Sequence, residues 1–311
     1  MSDNNINENK PLENEEEKTY DVVIEEARLK LFNSYKKSRT ISNIIMFAVV
    51  AAICGIMFLI IQNNSVLKIV GYSLLGALLL GMILYYVFNH KRLPNRVKEY
   101  VPFVMKTLNE KVFSDNSFKG IEYSEDKLAM DDLIGDGVYT EANGINSRNV
   151  VRGTYKEHHF LFAEAALLRP STRKQQVPPL FVGKYISMPN QLKFDGHFIF
   201  CFKNPKQPLD LPNATADLVI LEEKDDFVVY GPEGSNYHDI INNKAISQLK
   251  NLQIDNHLLN VNVVFWGGHT AAYLSYDDAV LSVPFEKPFD KKGFEKTIDD
   301  IHICLDAMSE E

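Results

Sequence analysis

Residues 1–19 are almost entirely polar, and Asp3, Glu8, Glu13, Glu15, Glu16 and Glu17 dominate them. Such a stretch cannot bury a core and predicts a disordered acidic tail. It lacks the basic start and short apolar stretch of a cleavable signal peptide. From Tyr20 the pattern turns helical. Tyr20, Ile24, Ala27, Leu31 and Tyr35 recur at spacings of three and four, while Glu25, Glu26, Arg28 and Lys30 fall elsewhere, which predicts a juxtamembrane helix over 20–40. Residues 41–61 then form an uncharged apolar run that spans roughly 30 Å as a helix, the thickness of a bilayer core. After the polar break Gln62-Asn63-Asn64-Ser65, a second uncharged run fills 69–88. The two runs predict a pair of transmembrane helices. Val97, Val101, Val104, Leu108 and Val112 repeat at four and three, an amphipathic juxtamembrane helix over 94–113 with a kink at Pro102.

Beyond this the period changes to two. From Val150 onward strands are predicted: His159, Leu161, Ala163 and Ala165 alternate with Phe160, Phe162, Glu164 and Ala166, and further strands lie at Leu180–Met188, His197–Phe202, Asp217–Glu222, Phe227–Tyr230, Val261–Trp266 and Ala271–Ser275. Breaks fall at Pro178-Pro179, Asn204-Pro205 and Gly231-Pro232. Two helices interrupt them, Tyr237–Leu252 and Gly293–Met308, the latter with Phe294, Ile298, Ile301, Leu305 and Met308 on one face. The fold class is α+β: a two-helix transmembrane hairpin, then a cytoplasmic, mainly antiparallel sheet domain over 120–311 with two or more helices.

Charge orients the hairpin. Lys36, Lys37 and Arg39 precede the first run, Lys91, Arg92, Arg96 and Lys98 follow the second, and the connecting loop carries only Lys68. Positive charge on both outer flanks predicts that both termini are cytoplasmic in a multi-pass protein of the plasma membrane. Ala51 with Gly55, and Ser73 with Ala77 and Gly81, are spaced as a close-packing seam between the helices or as the ordinary small residues of membrane segments. Neither span contains an ionisable residue of the acidic, basic or histidine kind, which argues against a transporter or channel. Over the 311 residues 41 acidic side chains outnumber 33 basic ones for a net charge of −8, which argues against nucleic acid as a partner. Cys54, Cys201 and Cys304 are far apart and form neither a zinc ribbon nor a redox pair.

Several short motifs carry a family resemblance. They are Gly153-Thr154-Tyr155 followed by Phe160-Leu161-Phe162-Ala163-Glu164-Ala165, then Phe181-Val182-Gly183, Phe227-Val228-Val229-Tyr230-Gly231, Leu249-Lys250-Asn251-Leu252 and Phe265-Trp266-Gly267-Gly268. With the paired apolar helices, they make the chain from about Tyr20 to Phe289 resemble a family of bacterial membrane proteins known only as a domain of unknown function. The resemblance implies an inner-membrane protein with a cytoplasmic α+β domain, and it implies no activity.

Candidate chemistry is sparse. His158 and His159 are adjacent on a strand and point to opposite faces, so they cannot both ligate one ion there. His159, Glu164 and His197 lack a recognised ligand spacing, and no metal or other cofactor is expected. Glu164 shares a strand face with Phe160 and Phe162, where a carboxylate must be paired, hydrogen-bonded or protonated. It is either a tuned acid or base or a residue that pins the sheet. His197 and His269 lie at strand ends. No nucleophile elbow, Walker loop or dinucleotide fingerprint occurs. Arg169, Arg173 and Lys174 form a basic loop, a candidate contact for anionic lipid or a solvated connector. The reading is a membrane-anchored binding or scaffolding module whose partners are the bilayer and a membrane or cytoplasmic protein. The alternative is a membrane-tethered enzyme with its site near Glu164, His197 or His269. A cleft gathering Glu164 with His197 or His269 favours the enzyme, and an exposed apolar groove or sheet edge favours the module.

Overall fold

The structure, a computed structural model, describes residues 19–310 except 62–63, 91, 125–126, 130–132, 134–137, 140, 171–176, 204–216, 240, 253, 256 and 277–284, with backbone alone over the rest of 86–96. The acidic tail thus lies, but for Thr19, outside the described residues. The chain divides into two units, one made of the residues up to Tyr100 together with Phe285–Phe289, the other of Val101–Pro284 and Asp290–Glu311.

In the first unit α1 runs from Tyr20 to Ile61 and α2 from Ser65 to His90. The segment expected over 20–40 and the first apolar run are one helix. No glycine or proline occurs between Tyr20 and Cys54, so the change from mixed to apolar composition at residue 40 has nothing to end the helix. The expected small-residue seam is not where the two helices meet. Ala51, Gly55, Ser73, Ala77 and Gly81 are exposed. The close approach is at Gly71, where a Cβ would stand 2.7 Å from Ile60 Cγ1, and Ile56 is buried beside it. One glycine facing large aliphatic side chains is enough to bring the helices together.

The polar half of α1 holds the segment Phe285–Phe289. Arg28, 5% exposed, makes a bidentate pair with Glu25 (Nε to Oε2 2.7 Å, Nη2 to Oε1 2.6 Å) and donates to the Phe285 carbonyl at 3.1 Å. Glu25 Oε2 in turn accepts from the Phe289 amide at 3.3 Å. Tyr20 and Tyr35 set their rings edge-on against Phe289 and Phe285 at 6.3 and 5.5 Å.

α3 runs from Arg92 to Val112 and continues through Pro102, which forfeits one backbone hydrogen bond without ending the helix. The second unit is built on nine antiparallel strands: β1 (Phe118–Ser124), β2 (Gly144–Tyr155), β3 (His158–Leu168), β4 (Phe181–Pro189), β5 (His197–Lys203), β6 (Val219–Glu223), β7 (Phe227–Gly231), β8 (Leu258–Trp266) and β9 (His269–Tyr276). Their order in the sheet is β1-β2-β3-β4-β9-β8-β5-β7-β6. The unit also holds α3 from Val101 onward, α4 (Asn243–Leu249) and α5 (Lys291–Ser309). The helix expected over Tyr237–Leu252 is shorter. A 3₁₀ turn occupies Tyr237–Asp239 and α4 starts afresh at Asn243, because the Asn236 and Asn242 side chains accept from the amides of His238 and Lys244 and so compete with helical bonding.

Alternation along the strands gives the sheet two buried faces. One carries Phe160, Phe162, Ile186, Met188, Phe198, Phe200 and Phe265, and α5 packs on it against β4 and β9. The other carries Ala163, Ala165, Tyr185, Ile199, Val264 and Tyr273, covered by Leu128, Leu133, Val138 and Tyr139 from the connection between β1 and β2. Tyr139 packs on Phe181 and Tyr273 at 6.0 and 5.0 Å and accepts from Asn262 Nδ2 at 3.1 Å.

Candidate functional site

Glu164 sits on the α5 face, 2% exposed. Its cross-strand partners are Arg148 on β2 and Lys184 on β4. Arg148 Nε donates to Glu164 Oε2 at 2.9 Å. Lys184 is itself 4% exposed, and its ammonium lies over the Tyr276 ring, 4.7 Å from the centroid. Tyr276 donates to Asp300 Oδ2 of α5 at 3.2 Å. Two acids, a lysine and a phenol are thereby sealed between sheet and helix. Burial raises the Glu164 carboxyl above its ordinary value against the pull of Lys184 and Arg148. It pushes Asp300 up to about 6 and Lys184 down to about 8, against the attraction of Glu164 and Asp300. Shifted groups mark functional sites only where substrate can reach them. Here they are enclosed, and the Tyr276–Asp300 bond ties β9 to α5.

The opposite face is open at one end. A cleft of about 500 Å³ lies there over β1, β2, β3, β4 and β9. Its floor follows from register. Glu122, Arg152, Leu161 and Ser187 are successive cross-strand partners and form one row across four strands. Thr154 and His159, also partners, belong to the next row, with Pro189 and His269 paired further along. Directly opposed residues share a face, and diagonal neighbours stand about 7–8 Å apart, so Arg152 and His159 are within common reach of one small group. Arg152, Glu122 and His159 are exposed. Thr154 Oγ1 and His159 Nδ1 are 3.5 Å apart. His269 is half-buried, and desolvation holds its imidazole below the ordinary histidine value, hence neutral at neutral pH. Its ring lies 4.7 Å from that of Trp266.

The wall near His269 is fixed by the loop between β4 and β5. Asn190 Nδ2 donates to the Trp266 carbonyl at 3.1 Å and to Thr270 Oγ1 at 2.8 Å, and the Gly268 amide donates to the Leu192 carbonyl at 3.0 Å. The Gly267-Gly268 turn is required for this. A Cβ at 267 would meet the Phe194 carbonyl at 2.7 Å, and Gly268 adopts φ +86.

The sequence-derived candidates therefore separate. Glu164 faces α5, whereas His159, His197 and His269 lie on the other face, so the grouping of His159, Glu164 and His197 does not form. His269 and His159 line the cleft. His197 lies in the same row as His269 on the far side of Trp266, 5.9 Å from its ring, and is not among the lining residues. Arg169 is exposed at the end of β3, and Arg173 and Lys174 lie outside the described residues. Among the described residues no group of three or more His, Cys, Asp or Glu side chains is placed to hold a metal ion. Arg152 and Glu122 were not singled out from the sequence; the only signal for them was alternation in two strands that the pattern does not delimit. No protein-family model, curated protein or solved structure matches the chain.

Proposed function

We propose that this chain is an integral membrane protein in which α1 and α2 form a transmembrane hairpin, with both termini in the cytoplasm, and the α+β unit is a membrane-tethered binding or scaffolding module. The observation that carries the reading is the exposure of the apolar runs. Both helices are long and apolar enough to cross a bilayer, and only 6% of each apolar window is buried. Phe47, Phe58, Ile61, Val66 and Ile69 are all more than half exposed. A core helix of a soluble protein buries such side chains, and a patch this extended calls for another solvent. The resemblance to bacterial membrane proteins agrees with this placement in the plasma membrane. Arg169, with Arg173 and Lys174 beyond it, is proposed as a contact for anionic lipid. Binding rather than catalysis is favoured because the buried acid and the cleft histidines lie on opposite faces of the sheet, so no acid–base pair assembles from them. At the far edge Ile220 of β6 is 54% exposed, an available strand for a protein partner. Alkaline carbonate washing of membranes tests the anchor. The full chain should stay with the bilayer, and a form lacking residues 41–90 should be released. Release of the full chain would overturn the reading.

A further inference from the structure

We propose that the cleft binds a small phosphomonoester, with the Arg152 guanidinium as its anchor and Thr154 and His159 as flanking donors. The proposal rests on the α+β unit being a binding module and names its ligand class. Among the described residues the Arg152 side chain makes no ion pair or hydrogen bond, although cations on the same sheet do, as Arg148 does with Glu164 and Lys119 with Glu157. A guanidinium left to solvent in a concave site is available to an anion, and its planar fork suits bidentate phosphate binding. Register places Thr154 two residues along the same strand face and His159 diagonally across on β3. All three stand on one face of the sheet and together offer more donors than a planar carboxylate would use, which suits a tetrahedral oxyanion with several acceptor oxygens.

Glu122, the cross-strand partner of Arg152, sets a further condition. A carboxylate beside the anchor disfavours a fully ionised anion, but it accepts a hydrogen bond from a P–OH or a neighbouring hydroxyl. Phosphomonoesters have both a singly ionised form and, in polyol phosphates, such hydroxyls. Leu161 and Pro189 give the floor an apolar strip, and His269 closes the far wall. The same headgroup chemistry occurs in a soluble polyol phosphate and in phosphatidate.

Trp266 is the single tryptophan of the chain and touches His269, so its emission reports on the cleft. The full chain, reconstituted in phosphatidylcholine nanodiscs, is titrated with glycerol 3-phosphate, and in parallel placed in nanodiscs containing phosphatidate. A saturable change in Trp266 emission is expected in at least one arm. A response to glycerol 3-phosphate marks a soluble ligand, and a response to phosphatidate alone marks a lipid headgroup. Arg152→Ala should weaken the responding arm at least tenfold, and Glu122→Gln should leave it intact or strengthen it. Both side chains are exposed, so an unchanged circular dichroism spectrum is expected of each variant. No response in either arm, or an Arg152→Ala response equal to that of the parent, would overturn the ligand class while leaving membrane anchoring, judged by carbonate washing, untouched.

Discussion

Lys184 is held between Glu164 on the neighbouring strand and Asp300 on the helix above, with the Tyr276 ring beneath its ammonium. Breaking such a cluster by removing one partner ordinarily costs several kcal/mol, because the remaining charge stays buried. Its pH dependence has a definite sign. Asp300 rises from an ordinary 3.8 to about 6 because burial outweighs the help of Lys296, of the Tyr276 hydroxyl and of Lys184, while Asp255 adds to the rise. The folded state therefore holds this proton more tightly than the unfolded state. The associated stability is complete below about pH 4 and is lost as pH climbs through about 6, up to about 3 kcal/mol. Lys184 runs the other way. Its value is depressed from 10.5 to about 8, so its contribution is complete above the ordinary value and is lost as pH falls through about 8. In urea unfolding of the full chain followed at Trp266, Asp300→Asn should abolish the fall in stability between about pH 4 and 6. With one of its two anions neutralised, the Lys184 step should also move to lower pH. An unaltered profile would show that Asp300 is not the group responsible.

At the scale of elements, α5 shows what periodicity reveals and what it conceals. Phe294, Ile301, Leu305 and Met308 are buried as their spacing predicts, and Ile298 is only half-buried. The buried stripe is turned to include Thr297, Asp300 and Cys304, because Asp300 finds Tyr276 beneath the helix, a partner no spacing rule reveals. Asp290 starts the helix by accepting from the Gly293 amide at 3.1 Å. Ile301, 1% exposed, is the clearest test of docking: Ile301→Ala should cost roughly 2–5 kcal/mol in the same unfolding assay. A loss within error would mean that α5 does not pack on the sheet. Most strands from β3 onward were legible because both their faces are buried and their apolar runs are punctuated by proline and glycine; the exposed edge strand β6 was legible from its Val219-Ile220-Leu221 run alone. β1 and β2 were not. β1 is an edge strand with four exposed residues among seven and Gly120 at φ +60, and β2 is broken by a bulge at Asn149, φ 55, which blurs a period of two. The cleft depends on these two strands, so Arg152 and Glu122 were hidden with them. Gly183 was legible only as a motif. Its reason is steric, since a Cβ there would collide with the Leu274 carbonyl on β9.

At the scale of the whole molecule the proposed membrane hairpin makes a definite prediction about which side of a bilayer each part occupies. α1 has 42 residues and is about 63 Å long, twice what a hydrocarbon core needs. In the proposed hairpin its polar half, with Lys36, Lys37 and Arg39 at the boundary, would emerge on one side, and Asn64, in the short connection to α2, would lie on the other. Lys91, Arg92, Arg96 and Lys98 follow α2 and would, on that proposal, return to the side of the first cluster. An excess of lysine and arginine is retained in the cytoplasm, so the two outer flanks should be internal and the connection external. Labelling with a membrane-impermeant maleimide decides this in a Cys54→Ala background. Cys201 and Cys304 are buried, and burial pushes the Cys304 thiol up, so neither should react in the native protein. Asn64→Cys should label in intact cells, whereas Ser38→Cys and Lys98→Cys should label only after permeabilisation. Labelling of Lys98→Cys in intact cells, with Asn64→Cys protected, would invert the hairpin. The α+β unit, its cleft and any partner of either would then lie outside the cytoplasm.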